Sequence, residues 1–302
     1  MAALRAALGV ADRLSPRVAA NLALRAFLSP PRPPRPAREV ALLEVATPIP
    51  VVLDGQRVAT WAWGGGDGPV VLLVHGWGGR GAQLGAVVSP LVNAGRTVVA
   101  FDAPAHGDTV GPATTLAAMA RAVRAVADAV GPLDAVVAHS FGAAATTVAM
   151  ARGLQARRVV YLAPMFRVSA AVERFVEAVG LSPVAAAAFR SQLASINQAG
   201  PDELDGPVLA PALTAALTVV HDRGDREVPF ADGVAAAQAW PGARLVETAG
   251  LGHQRLLADP DVVEVVRDVV LGIAMPPARL DDAARIERDL LDRERRRARA
   301  FP

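Results

Sequence analysis

The feature that most constrains the fold is a regular alternation of short apolar runs with helical segments. Val70 to Val74 (VVLLV) is a continuous apolar run too short for a helix, and a second run follows at residues 97–102. A helical pattern extends from Leu116 to Val130, and the next short run ends at His139. Apolar strands that alternate with helices are typical of a mostly parallel sheet covered on both faces. The sequence therefore predicts an α/β fold with a doubly wound sheet.

Composition agrees with this fold and narrows the function classes. Hydrophobic residues make up 52% of the 302 residues and aromatic residues 4%, so the core must consist mainly of Ala, Val and Leu. The net charge of +2 gives no reason to expect a nucleic-acid partner. The absence of cysteine excludes disulfides, thiolate metal sites and a cysteine nucleophile, and it suits a reducing compartment. We expect a cytoplasmic protein that has no membrane span and needs no cofactor or metal.

Three segments are expected along the chain. Residues 1–37 are predicted to form two short helices and a stiff Pro-rich linker, SPPRPPRP. These helices either dock on the rest of the chain or lie on a membrane surface with their arginines toward the headgroups. Residues 38–272 form the main domain, in which a helical, Ala-rich insertion at residues 165–210 is placed to act as a lid. Residues 273–302 are predicted to form a charged helical tail.

The histidines indicate where the functional site lies. All five follow predicted strands; they are His75, His106, His139, His221 and His253. Ligands of doubly wound sheets bind beyond the carboxyl ends of the strands. One edge of the sheet is therefore expected to hold the site.

A strand-to-helix turn centred on Ser140 is the strongest local motif. Ala138-His139-Ser140-Phe141-Gly142 lies between an apolar strand and a helix of small residues. Such a turn strains its central residue and raises the side chain above the sheet, and small residues on either side avoid a clash. The start of the helix leaves the Phe141 amide free to bind an oxyanion. Ser140 is the candidate nucleophile; the alternative is a serine that only caps the helix.

A serine nucleophile needs a base to remove its proton, and a third group to orient that base. His253 lies in a glycine-flanked loop that can approach the sheet edge closely, so it is the candidate base. His139 projects away from the side chain of its neighbour Ser140 and is a poorer candidate. Asp222 and Asp225 both follow the penultimate predicted strand, and either can be the acid.

Two loops resemble motifs of the α/β-hydrolase superfamily. His75 to Gly79 (HGWGG) resembles its oxyanion loop. Residues 101–108 (FDAPAHGD) resemble D-x-P-G-H-G-x-S, with departures at Ala105 and Asp108. Together with the turn at Ser140, these motifs occur in the order that the family carries them.

Two further loops complete the resemblance, which covers residues 39–272. Residues 219–229 (VVHDRGDREVP) resemble the acid loop, in which D-x-x-V-P places the acid at Asp225. Residues 250–253 (GLGH) resemble the motif that ends in the base. The resemblance to the serine-nucleophile, esterase-like and lipase-like branch implies a Ser–Asp–His triad that hydrolyses an ester or related acyl bond.

The remaining site residues surround the expected nucleophile. The backbone amides of Trp77 and Phe141 are expected to form the oxyanion hole, and His75, Trp77 and His139 are expected to bind a small-molecule acyl substrate. Arg80 lies beside these motifs and is expected at the surface. Thioesters, lactones and carbon–carbon bonds are open alternatives to an ester. A hydrolase-fold binding protein without catalysis is the hypothesis from another class.

Overall fold

Ten strands form the frame of residues 2–273, which the computed structural model describes. They are β1 (Thr47–Pro48), β2 (Val51–Leu53), β3 (Gln56–Val58), β4 (Thr60–Trp63), β5 (Val70–Val74), β6 (Thr97–Phe101), β7 (Leu133–His139), β8 (Ala156–Leu162), β9 (Ala216–Asp222) and β10 (Arg244–Thr248). Eight of them form one sheet in the order β1-β4-β6-β5-β7-β8-β9-β10, and β2 pairs with β3 in a separate hairpin. The pairs β1–β4 and β4–β6 are antiparallel, whereas the other neighbours in the large sheet are parallel. The predicted mostly parallel sheet is confirmed.

Twelve α-helices occur among the described residues. They are α1 (Ala2–Leu14), α2 (Pro16–Leu28), α3 (Ala37–Glu44), α4 (Val88–Asn93), α5 (Leu116–Val130), α6 (Phe141–Ala151), α7 (Val168–Val179), α8 (Pro183–Asn197), α9 (Gly206–Leu209), α10 (Phe230–Ala239), α11 (Gly252–Arg255) and α12 (Pro260–Leu271). Helices α7 to α9 fall in the insertion predicted between two strands of the sheet.

The core on both faces of the sheet follows from the alternation of side chains along each strand. In β5, Leu72 and Val74 join the apolar cluster that contains α5 and α6. Val71 and Leu73 join the opposite cluster, which contains α4 and α12. Successive side chains of a strand point to opposite faces, so a run such as VVLLV requires apolar cover on both sides.

Helix α3 differs from the sequence-based prediction. The resemblance found in the sequence begins at residue 39, where a strand–turn–helix alternation is expected, but residue 39 lies inside this helix. Glu39 is buried and pairs with Arg80, which is also buried rather than at the surface. Because the ion pair joins residues far apart in sequence, local periodicity carries no sign of it.

The N-terminal helices α1 and α2 pack on the insertion. This arrangement corresponds to the first of the two alternatives for these helices, docking on the rest of the chain. Leu8 of α1 shares an apolar cluster with Val176 of α7 and Phe189 of α8. The carboxylate of Asp12 accepts hydrogen bonds from the backbone N–H and the hydroxyl of Ser182 at the start of α8, at 2.7 and 2.8 Å.

Within residues 2–273, no helix combines the length and apolar character that crossing a bilayer requires. From residue 274 onward, the tail predicted for residues 273–302 lies outside the described residues.

Candidate active site

Ser140 occupies the sharp turn between β7 and α6. Its φ of 53° and ψ of −120° lie in a region that costs a residue with a side chain about 1–3 kcal/mol. The turn is held on both sides, because the Ser140 N–H donates to the Leu162 carbonyl at 3.0 Å and the Met165 N–H donates to the Ser140 carbonyl at 3.1 Å. A Cβ at Gly142 would clash with the carbonyl oxygen of His75, so α6 can approach the end of β5 this closely only with glycine there. The surrounding structure therefore stabilises the strained serine.

His253 and Asp225 form a direct pair. His253 Nδ1 lies 2.7 Å from Asp225 Oδ2. Since a carboxylate only accepts, Nδ1 must carry the hydrogen, which leaves Nε2 as a proton acceptor. Both side chains are almost fully buried.

The carboxylate of Asp225 is fully engaged. Its Oδ1 accepts from the backbone N–H groups of Glu227 and Val228 at 2.8 and 2.9 Å. Its Oδ2 accepts from His253, and the Nε2 of His221 lies 3.2 Å both from this Oδ2 and from the Val228 carbonyl oxygen. Burial acts to raise the pKa of Asp225, but the hydrogen bonds from the two histidines and from Val228 outweigh it and hold the pKa well below its usual range.

Asp222, the other candidate acid, is used to hold loops together. Its Oδ2 accepts from Thr248 Oγ1 and from the Leu251 N–H at 2.9 and 2.8 Å, and its Oδ1 accepts from the Gly224 N–H at 2.9 Å. The side chain is completely buried. The structure therefore pairs His253 with Asp225 and assigns Asp222 to the end of β9 as a structural carboxylate.

His139 lies beside His253 and contacts its backbone. The two rings are 4.6 Å apart, and His139 Nε2 lies 3.2 Å from the carbonyl oxygen of His253. Burial lowers the pKa of His139 to about 3, so the ring is neutral and donates one hydrogen. This contact holds the loop that carries His253.

Two backbone amides beside Ser140 are available to an oxyanion. The Phe141 N–H is the first of α6, where the helix offers no acceptor. Within residues 2–273, neither it nor the Trp77 N–H donates to a protein acceptor. The Trp77 and Phe141 rings meet edge to face at 5.4 Å, which fixes the two segments against each other.

His75 does not have the substrate-binding position expected for it. It is completely buried, its Nε2 accepts from the Ala103 N–H at 2.9 Å, and its Nδ1 donates to the Gly76 carbonyl at 2.7 Å. Burial lowers the pKa of His75 to about 3. This neutral ring joins two loops beneath the site and presents no surface to a ligand.

A cavity of about 500 Å³ lies over these residues. Five of the residues predicted for the site line it; they are Trp77, His139, Ser140, Phe141 and His253. Sequence reasoning missed His221 as a partner of Asp225, although its position at the end of a strand and four residues before Asp225 was visible. It also missed Phe27 and Pro31, which line the cavity from the N-terminal segment and carry no recognisable motif.

Solved structures with the same fold include several hydrolases. The chain is similar to a membrane phospholipase A described as a bacterial virulence factor, with 18% identity and a TM-score of 0.58 over 78% of this chain and 88% of that chain. It is similar to an esterase from a Rhodococcus species, with 20% identity and a TM-score of 0.57 over 76% and 100% of the two chains. It is also similar to an N-acyl homoserine lactone degrading enzyme, with 17% identity and a TM-score of 0.59 over 72% and 98%. At these identities the similarity shows the fold.

The sequence itself identifies the family. No curated protein matches the chain. Residues 71–266, which are more than half of the chain and span β5 to α12, match the alpha/beta hydrolase family. The protein belongs to the alpha/beta hydrolase family.

Proposed function

We propose that this protein is a serine hydrolase that cleaves a carboxylic ester or related acyl bond through an acyl-enzyme. Ser140 is the nucleophile, His253 the general base and Asp225 the acid that orients His253. The observation that carries the proposal is the 2.7 Å pair between His253 and Asp225, because His253 lines the same cavity as the strained Ser140.

The chemistry follows from the proton positions. Because Nδ1 of His253 is held by Asp225, Nε2 accepts the hydroxyl proton of Ser140 as its oxygen attacks the acyl carbon. The resulting imidazolium is stabilised by the ionised carboxylate. Collapse of the tetrahedral intermediate breaks the bond to the leaving group, which takes the proton from His253. Water, deprotonated by His253, then attacks the acyl carbon. Collapse of this second tetrahedral intermediate breaks the bond to Ser140, whose oxygen takes the proton back from His253.

Main-chain N–H groups stabilise the negative charge on the oxygen of the tetrahedral intermediate. The Trp77 and Phe141 N–H groups are the donors in this proposal, and one such donor contributes on the order of 3 kcal/mol to transition-state stabilisation. Side-chain substitution at either position leaves the N–H in place and changes the cavity wall instead.

The same steps apply to thioesters and lactones, since each presents an acyl carbon with a leaving heteroatom. Solved structures of this fold include a thioesterase domain from the curacin biosynthetic pathway and a lactone-degrading enzyme as well as esterases. The alternative from another class is a binding protein of the same fold that lacks turnover.

Covalent labelling tests the proposal. A fluorophosphonate should form one adduct on Ser140, identified by intact mass and peptide mapping, and Ser140→Ala should abolish both the adduct and turnover. A panel of esters, thioesters and lactones on wild type then identifies the bond, and activity should persist with a chelator. Absence of an adduct on folded wild type, together with no turnover, favours the binding protein.

A further inference from the structure

The cavity over Ser140 has a wall that the family match does not include. We use "N-terminal segment" for residues 2–44, which precede the matched residues 71–266. Four residues of this segment line the cavity; they are Ala26, Phe27, Leu28 and Pro31. They face cavity residues of the lid helices α7 and α8, so the segment and the insertion enclose the site together.

Phe27 joins α2 to the lid. Its ring lies 4.8 Å from the ring of Phe175 on α7 and 5.5 Å from that of Phe189 on α8, the second in an edge-to-face arrangement. Phe175 also lines the cavity. Aromatic pairs at such distances stabilise packing beyond simple burial. Phe27 therefore has a defined position between the lid and the cavity.

The linker after α2 is tied to the loop that follows β6. Arg32 donates to the carbonyls of Ala105 and Thr109 at 2.8 and 3.0 Å. Arg35 pairs with Asp108 at 2.8 Å and with the buried Asp102 at 3.1 Å. Aligned on Asp102, the motif D-x-P-G-H-G-x-S has its variable position at Asp108 and its serine position at Thr109, so Asp108 is no departure from the motif, and its ion pair with Arg35 is a feature of this chain.

The linker also rests on the oxyanion loop. A Cβ at Gly78 would lie 2.7 Å from Pro31 Cγ, so Pro31 packs directly on the backbone of this loop. Arg80, at the end of the loop, donates to the carbonyls of Pro33 and Pro34 and pairs with Glu39. These contacts hold the segment in place on the active-site loops as a fixed part of the cavity.

The lining indicates what the cavity accepts. Among its described lining residues, Arg174 and Glu227 are the only arginine or carboxylate side chains, and most others are apolar. A volume of about 500 Å³ is that of a small-molecule site. An apolar chain would bury its surface here without leaving a charge unpaired.

We propose that the N-terminal segment completes the acyl-binding cavity, that Phe27 is a specificity-determining residue, and that the substrates are small esters with an apolar acyl chain. This inference rests on the proposed serine hydrolase function. The acyl chain of the substrate lies between α2 and the lid, and Phe27 sets the limit on its length.

Two fluorophosphonates that differ only in an ethyl or a decyl chain test this inference. Phe27→Trp keeps an aromatic ring against the lid but fills space, so the ratio of decyl to ethyl labelling rates at Ser140 should fall at least about tenfold. Leu22→Trp adds the same ring on an exposed face of α2 and should leave the ratio unchanged. Decanoate binding, measured by calorimetry, should weaken in Phe27→Trp alone, and thermal melting verifies that each variant is folded.

The two readouts separate the two proposals. An unchanged labelling ratio together with unchanged decanoate affinity in folded Phe27→Trp overturns the cavity assignment. Failure of wild type to bind decanoate overturns the apolar acyl chain. If wild type is labelled by neither compound but binds decanoate, and Phe27→Trp binds it more weakly, the cavity assignment stands and the hydrolase function fails.

Discussion

His253 Nδ1 lies 2.7 Å from Asp225 Oδ2, and this contact pairs His253 with one of the two aspartates at and just after the end of β9. It fixes the tautomer of His253 and leaves Nε2 as the atom that can take a proton. The carboxylate is held in turn by two backbone amides and by His221. These contacts fix the position of the carboxylate that His253 contacts.

Asp225→Asn is expected to lower kcat by about 10⁴-fold, since an amide in place of the triad carboxylate selects the wrong tautomer of the histidine. Steady-state turnover of the best ester from the panel measures the loss. Melting temperature provides the control for folding. A folded Asp225→Asn variant with near wild-type turnover would refute the assignment of Asp225.

Asp222→Asn is the matched comparison and should affect stability more than turnover. An amide nitrogen would face the N–H of Leu251 or of Gly224, or the hydroxyl of Thr248, and at least one buried hydrogen bond would be lost. An unsatisfied buried donor costs about 1–3 kcal/mol in the free energy of unfolding. Urea denaturation measures this cost, and the opposite pattern, with turnover lost and stability kept, would move the acid to Asp222.

His221→Phe should lower kcat about tenfold with little change in KM. The substitution removes the Nε2–H that lies 3.2 Å from both Asp225 Oδ2 and the Val228 carbonyl oxygen. A hydrogen bond to a charged group is worth about 1.5–3 kcal/mol, of which part reaches the transition state. His221→Gln restores a donor and should recover part of the activity. Equal kcat losses in the Phe and Gln variants would mean that the ring packs without positioning Asp225.

Stability should fall at mildly acidic pH because buried histidines resist protonation. Burial lowers the pKa of His106 to about 4, whereas its unfolded pKa is about 6.5. Between these values the unfolded chain binds a proton that the folded chain does not, so the free energy of unfolding decreases as pH falls. His106→Phe removes this difference and should flatten the slope by up to about 1.4 kcal/mol per pH unit. Urea denaturation from pH 7 to 4.5 measures the slopes, and identical slopes contradict the prediction.

Arg80→Met should destabilise the fold by about 3–5 kcal/mol, because it leaves Glu39 buried and without its cation. The double variant Arg80→Met with Glu39→Leu should be less destabilised than the single variant. A double-mutant cycle by urea denaturation tests this. Strictly additive losses would show that the two side chains are not coupled.

Much of the fold was accessible from local sequence. The apolar run of β5 and the helical pattern of α5, found at Leu116–Val130 as predicted, follow from short-range periodicity. The turn at Ser140 was accessible for the same reason, because a strand, a small-residue pattern and a helix start are all encoded within a few residues.

Tertiary structure decided what depends on contacts between distant segments. Asp222 and Asp225 are three residues apart and chemically alike, and only the position of the loop that carries His253 distinguishes them. His75 directly follows β5 and His139 is the last residue of β7, yet the neighbouring loops cover His75 completely and leave His139 at the cavity.

The N-terminal segment shows most clearly that tertiary contacts decide what local sequence leaves open. Its first two helices, α1 and α2, could be predicted from sequence, but the surface on which they pack could not. Phe27 contacts Phe175 of the lid, and Glu39 pairs with Arg80 at a sequence separation of 41. Local patterns determined which segments are helices and strands and which serine occupies the strand-to-helix turn. Burial and pairing between distant residues decided which aspartate partners His253 and which residues enclose the site.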